Sequence, residues 1–292
     1  MYVVIGAAGY LGSYMVKNIL ERTAEDVLAV ARHPGKDWGP RVSWASCDIM
    51  LPDKVEEFIS GHELSGSKVI YLAAYHHPDQ VEQHPHLAWH INVTSLSYFL
   101  NALPDNIAGF YYPSSDSVYG ESVNNRSFKE NDSLHPVNRY GRQKNVAEQL
   151  VIGYGHHVVR FPFLISPSLV EGKPHFYDKI VSSLQDGHPV KMFADSYRSA
   201  ISFDTAAALT IALLEKKDSI PQVLNVCGDR PYSKYEIGLL IADRIGVLHS
   251  LVQPVSTAEE NEIFAVPRAK STLMDNSLLK QTLGIEHIDL EL

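Results

Sequence analysis

The chain has 292 residues, 45% of them hydrophobic, enough for a sizeable buried core, so intrinsic disorder is not the expected state. Acidic residues outnumber basic ones by 34 to 25, a formal charge of -9, which disfavours a nonspecific grip on nucleic acid or on an anionic membrane surface. The two cysteines, Cys47 and Cys227, lie far apart in apolar surroundings and read as buried thiols, which excludes a disulfide framework.

The opening stretch MYVVIGAAGYLG lacks the basic and long apolar regions of a secretory signal, and no run approaches the roughly 18 apolar residues of a membrane span. A cytoplasmic, reducing location is therefore expected. YVVIG predicts a first strand and GYLGSYMVKNILER the helix after it. Between them Gly6, Gly9 and Gly12 are spaced GxxGxxG, with Tyr10 and Leu11 inside the turn. Glycine suits this place because a side chain would block both the tight turn and the approach of a pyrophosphate to the helix N-terminus.

VLAVARH predicts the second strand. An acidic residue at its end would hold a free ribose 2'-hydroxyl, but Ala31 stands there and Arg32 follows, a guanidinium able to face a 2'-phosphate. NADP is thus preferred over NAD as cofactor. Cys47 and Asp48 end another short strand, beside Ile49; Asp48 either meets an adenine amino group or is a plain loop aspartate. DKVEEFIS predicts a helix and KVIYLAA a strand. A helical stretch from about Asp79 to Leu103, the strand GFYYPSS, a polar loop, a helix from about Asn138 to Tyr154 and the strand HVVRFPF complete the alternation. Strands that are apolar throughout, such as YVVI, suit a sheet covered on both faces, so the expected class is α/β, a Rossmann-type doubly wound parallel sheet.

After Phe163 the pattern is broken by Pro167, Pro174 and Pro189, which suggests a smaller C-terminal substrate-binding lobe. A helix from about Asp204 to Glu215 and the strand QVLNVCG return to the main sheet, and SKYEIGLLIADRIGV belongs to the lobe. The expected division is 1–165 and 196–228 for the dinucleotide-binding domain, 166–195 and 229–292 for the lobe.

Tyr140 and Lys144 in RYGRQKNVAE are four residues apart on a predicted helix and project from one face. An ammonium beside a phenol favours phenolate and would lower the tyrosine pKa towards neutrality, suiting proton exchange with a substrate hydroxyl or carbonyl. Upstream, PSSDSVYG ends the GFYYPSS strand, and Ser115 there can donate a hydrogen bond to the substrate oxygen.

With GAAGYLG, YLAA, Asn92 in INVTSL, SSDSVYG, YGRQK and RFPF, nearly the whole chain resembles extended short-chain dehydrogenases/reductases. The similarity is to the NAD-dependent epimerase/dehydratase group, which also contains dTDP-4-dehydrorhamnose reductases. The resemblance selects Ser115 over Ser114 as the catalytic hydroxyl, with Tyr140 and Lys144. It implies that Leu72, Ala73 and Ala74 run past the cofactor and that Asn92 supports the catalytic helix. It also implies that Phe161, Pro162 and Phe163 border the nicotinamide. Dehydratases of the group carry an Asp-Glu pair after the catalytic hydroxyl; here Asp116 and Ser117 occupy those positions, which argues against dehydration. Arg198 resembles the arginine that holds a substrate diphosphate, and Arg268 in VPRAKSTLMDNSLLKQTLGI resembles the closing segment of dehydrorhamnose reductases.

The resulting expectation is reduction of a keto-sugar on a nucleotide, with a 4-epimerase or a non-catalytic NADP(H)-binding regulatory protein as alternatives. A homodimer through the helices flanking YGRQK is implied by the resemblance alone. His76, His77, His84, His86 and His90 do not form a coherent ligand set, since two prolines interrupt them, and no metal is expected.

Overall fold

The computed structural model describes residues 1–258 and 266–292. Strand β1 (Tyr2–Ile5) leads through the glycine turn into helix α1 (Tyr10–Arg22), followed by β2 (Val27–Ala31), β3 (Val42–Ser46), α2 (Pro52–Ser60) and β4 (Lys68–Tyr71). Next come α3 (Pro78–Gln83), α4 (Pro85–Trp89), one π-helical turn (His90–Thr94) and α5 (Ser95–Ala102). Then follow β5 (Gly109–Ser115), α6 (Arg139–Gly153), β6 (His157–Phe161), α7 (Phe176–Gln185), β7 (Val190–Phe193), β8 (Tyr197–Arg198) and α8 (Phe203–Leu214). The chain closes with β9 (Val223–Asn225), β10 (Tyr232–Ser233), α9 (Lys234–Ile245), β11 (Val252–Val255) and α10 (Ser277–Leu283).

Seven strands form one parallel sheet in the order β3-β2-β1-β4-β5-β6-β9. The doubly wound expectation is met. Successive side chains of a strand point to opposite faces, so in β1 Tyr2 and Val4 enter one core with Tyr14, Met15 and Ile19 of α1 and Phe203 and Ala206 of α8. Val3 and Ile5 enter the other, with Val55 and Phe58 of α2, Phe99 of α5 and Val151 of α6. Burial on both faces is the reason YVVI carries no charged residue.

Two small sheets, β10-β8 antiparallel and β11-β7 parallel, stand apart from the main one. With α7 and α9 they enclose a separate core that includes Tyr177, Ile180, Ile237 and Ile241. β8 lies within 196–228, the stretch expected in the dinucleotide domain, yet pairs with β10.

The helical stretch expected from about Asp79 to Leu103 is divided into α3, α4, a π turn and α5. Proline disfavours the helical region for the residue before it, and His84, preceding Pro85, takes φ -126° and ψ 60°, ending α3. The order of strands reverses between β1 and β4, and in open sheets of this kind the crevice at that reversal, beyond the C-terminal strand ends, is where ligands bind.

Candidate active site

A cleft of about 1280 Å³ opens at that reversal. The glycine turn forms one wall. Gly9 N–H donates to Gly6 O at 3.0 Å, and a Cβ on Gly12 would lie 2.3 Å from Gly6 O and 2.7 Å from Ala7 Cα, so only hydrogen fits. The first turn of α1 has no acidic side chain, which leaves its N–H groups and the positive end of its dipole facing the cleft. This cradle fits a diphosphate. Tyr10 and Leu11 line the same wall, with Arg32, Asp48 and Ile49 at the β2–β3 end and Leu72, Ala73 and Ala74 along the floor. Asp48 Oδ1 accepts from Met50 N–H at 3.1 Å, so it already caps a turn. Arg32, with His33 and Lys36, also borders a smaller adjoining cavity.

Ser115, Asp116, Ser117, Tyr140, Lys144, Phe161, Pro162, Phe163, Arg198 and Arg268 line the remainder, so the residues picked from the sequence for cofactor, catalysis and substrate open on one cleft, while Asn92 does not line it. Helix α6 begins at Asn138, whose Oδ1 accepts from Gly141 N–H at 2.9 Å. Gly141 is required because a Cβ there would lie 2.3 Å from Ser117 O. That close approach sets Tyr140 beside the end of β5, where it lines the same cleft as Ser115. Ser115 Oγ also donates to Asp116 Oδ1 and contacts Ser117 Oγ, each at 3.1 Å. Asn92, in the π turn, donates to Gln143 Oε1 at 2.8 Å and clasps the Tyr75 backbone from both sides, tying α6 to the floor. π turns are frequent at functional sites for this reason: they aim a side chain that a regular helix would not.

The electrostatics depart from the expected ammonium–phenol couple. Lys144 is buried, donates to Tyr112 Oη at 3.0 Å and to Pro113 O at 2.8 Å, and burial lowers its pKa to about 7. The Tyr140 phenol is raised, by burial and then by the Asp116 carboxylate, with the nearby Ser115 hydroxyl opposing. The reason is spatial: the side chains share a helix face, but the ammonium is directed into β5. Tyr140 is therefore held in its protonated form. Asp116 is likewise raised by burial, against the pull of Arg198, whose Nε lies 3.4 Å from Asp116 Oδ2. The Tyr140 phenol, the Ser115 hydroxyl and the Asp116 carboxyl thus meet at one corner of the cleft.

The two arginines are engaged within the protein. Arg198 donates to the carbonyls of Tyr197, Ala269 and Lys270, and Arg268 pairs with Asp79 at 2.7 Å. They hold the segment after residue 266 against the cleft. Sequence reading missed Lys234, at the start of α9, which stands 5.7 Å and 5.5 Å from the ring centroids of Phe163 and Phe176 and has its pKa lowered to about 8 by burial. It also missed Lys173 and His175 at the rim. SKYE carries only a helix-start signal, Ser233 with Glu236, so nothing local marked the lysine. Among the described residues no group of three or more His, Cys, Asp or Glu is placed to hold a metal, and His90 Nε2 instead lies 2.9 Å from Met50 O. Cys47 and Cys227 are buried free thiols, and among the described residues no helix is long and apolar enough to cross a membrane.

Residues 1–291 match the RmlD substrate binding domain family. Methionine adenosyltransferase 2 subunit beta of Bos taurus is 25% identical over 291 residues, covering 97% of this chain and 82% of that protein. The solved structure of MoeE5 in complex with UDP-glucuronic acid and NAD is similar with a TM-score of 0.81 at 20% identity, over 99% of this chain and 94% of that one. The dTDP-4-dehydrorhamnose reductase of Bacillus anthracis in complex with NADP is similar with a TM-score of 0.78 at 20% identity, over 98% and 94%. At such identities the two structures establish a shared fold.

Proposed function

The chain belongs to the RmlD substrate binding domain family, and we propose that it is a nicotinamide-dependent oxidoreductase that reduces a keto-sugar linked to a nucleotide, with NADPH as the preferred donor. The observation that carries this reading is the placing of Ser115 and Tyr140 in the same cleft as the glycine cradle. The NAD and NADP held by proteins of the same fold support the choice of cofactor class, and Arg32 at the end of β2 supports the phosphorylated form. On this reading 1–165 and 196–228 hold the cofactor and 166–195 and 229–292 the sugar nucleotide. The free thiols are in keeping with a cytoplasmic location, and the helices flanking YGRQK would form a homodimer.

A bound nicotinamide supplies hydride, and the residues of the chain manage the proton. Tyr140 Oη gives its proton to the carbonyl oxygen as negative charge develops there, while Ser115 Oγ orients that oxygen by a second hydrogen bond. Asp116 stands behind Ser115 and accepts from its hydroxyl at 3.1 Å, which orients the serine. Ser117 in the next position carries no carboxylate, so the paired acid and base of a dehydration are missing.

The test is to incubate the purified protein with NADPH or NADH and a panel of nucleotide-linked keto-sugars. Oxidation of NADPH by one of them, with weaker use of NADH, is the expected result. Interconversion of two sugars without net change in cofactor would replace reduction by epimerisation. The similarity to a methionine adenosyltransferase subunit along 97% of the chain favours one other reading, a regulatory subunit that binds the dinucleotide without turnover. Tight NADPH binding with no oxidation of any substrate would support it. Gly12→Ala should lower NADPH affinity at least about tenfold, since the added methyl must push the turn away from α1 and misalign the N–H cradle. Fluorescence titration of NADPH checks this, and unchanged affinity would remove the glycine turn from the cofactor site.

A further inference from the structure

The connection from β6 to α7 borders the cleft as a pinned loop. Its neck is closed by one carboxylate: Asp178 of α7 accepts from Ser168 N–H at 3.2 Å and 3.1 Å and from His175 N–H at 2.7 Å. Its two limbs are tied to α1 by tyrosines. Tyr14 Oη donates to Pro167 O at 2.9 Å, and Tyr10 Oη, inside the glycine turn, donates to Pro174 O at 3.1 Å. The His175 ring meets Tyr10 edge-on at 4.7 Å and Phe203 at 5.0 Å, fixing the loop tip over the start of α1.

At that tip Lys173 Nζ stands 4.9 Å over the Tyr10 ring, and both residues line the cleft. The side chain is exposed at the rim, and among the described residues no carboxylate pairs with it. The loop that carries Lys173 is tied down by Tyr10, Tyr14 and Asp178, so the ammonium is held beside the N-terminus of α1, where an anion in the glycine cradle would meet it.

We propose that Lys173 is the cation that meets the diphosphate of the bound nicotinamide dinucleotide, and that the 168–175 loop is the strap that carries it there from the substrate lobe. This rests on the reading that the chain binds such a cofactor. The Gly6–Gly12 turn supplies backbone donors from below and Lys173 a charge from above, so the diphosphate is clasped between the two parts of the molecule. Cofactor binding then also sets the position of α7 and the lobe.

The experiment is fluorescence titration of NADPH at low and high salt with the full chain, Lys173→Met, Lys173→Arg and, as a control, Lys54→Met, whose lysine pairs only with Glu57 on the surface of α2. Lys173→Met should weaken binding about tenfold and flatten its salt dependence, because one charge-assisted contact is removed. Lys173→Arg should retain most of the affinity, and melting temperatures should stay level. Equal affinities for Lys173→Met and Lys54→Met would overturn the clasp while leaving the cofactor reading intact. Failure of the unaltered chain to bind either NADPH or NADH would overturn that reading and the clasp together.

Discussion

Tyr140→Phe is expected to lower kcat by about 10²–10⁴-fold, the usual contribution of a positioned proton donor, with NADPH affinity nearly unchanged. The ring of Tyr140 is buried against Val81 and Ala88, and phenylalanine keeps that packing, so the loss isolates the hydroxyl. Burial and the Asp116 carboxylate both raise the phenol, so the donor form is populated throughout the neutral range. A reduction needs that form, whereas an oxidation would need the phenolate. Single-turnover measurement of hydride transfer in the variant, beside a cofactor titration, checks the assignment. A rate close to that of the unaltered protein would take Tyr140 out of the chemistry.

Arg160→Met is expected to destabilise the fold by about 3–5 kcal/mol, the range found when one partner of a buried ion pair is removed. The side chains of Arg160 and Glu148 are 4% and 0% exposed, so the remaining carboxylate would have neither partner nor water. Arg160 reaches Glu148 through Nε at 3.0 Å and Nη2 at 2.7 Å, and through Nη1 it reaches Tyr119 Oη at 2.7 Å and Glu130 O at 2.9 Å. Tyr119 in turn donates to Asn225 Oδ1 at 2.7 Å. The network joins β6, β9, the segment after β5 and α6, the helix that carries Tyr140 and Lys144. Urea denaturation measures the loss. The double variant Arg160→Met with Glu148→Leu should regain much of it, because no charge is then left buried alone. A single variant as stable as the parent would show that the pair contributes nothing net.

Much of the architecture could be read from local pattern. The strands of the main sheet and helices α1, α2, α6, α8 and α9 lie where runs of apolar residues and 3.6-residue periodicity put them. The break within the helical stretch Asp79–Leu103 has a local cause as well, Pro85, which takes His84 out of the helical region. The candidate cleft was legible to a similar extent: glycine turn, Ser115, Tyr140 and Lys144 open on the same space.

The sequence by itself determined the sheet order's building blocks, the glycine turn and the helical spacing of Tyr140 and Lys144, because backbone sterics and side-chain periodicity act over a few residues. Tertiary structure alone decided what those groups touch. Lys144 bonds Tyr112 and Pro113 and not the phenol, Arg198 and Arg268 are held by Asp116 and Asp79, and Lys173 arrives over Tyr10 from a loop about 160 residues downstream. Such contacts are set by how distant elements pack, and the pKa of a buried group follows its neighbours and its loss of water, neither of which is written in its own stretch of chain.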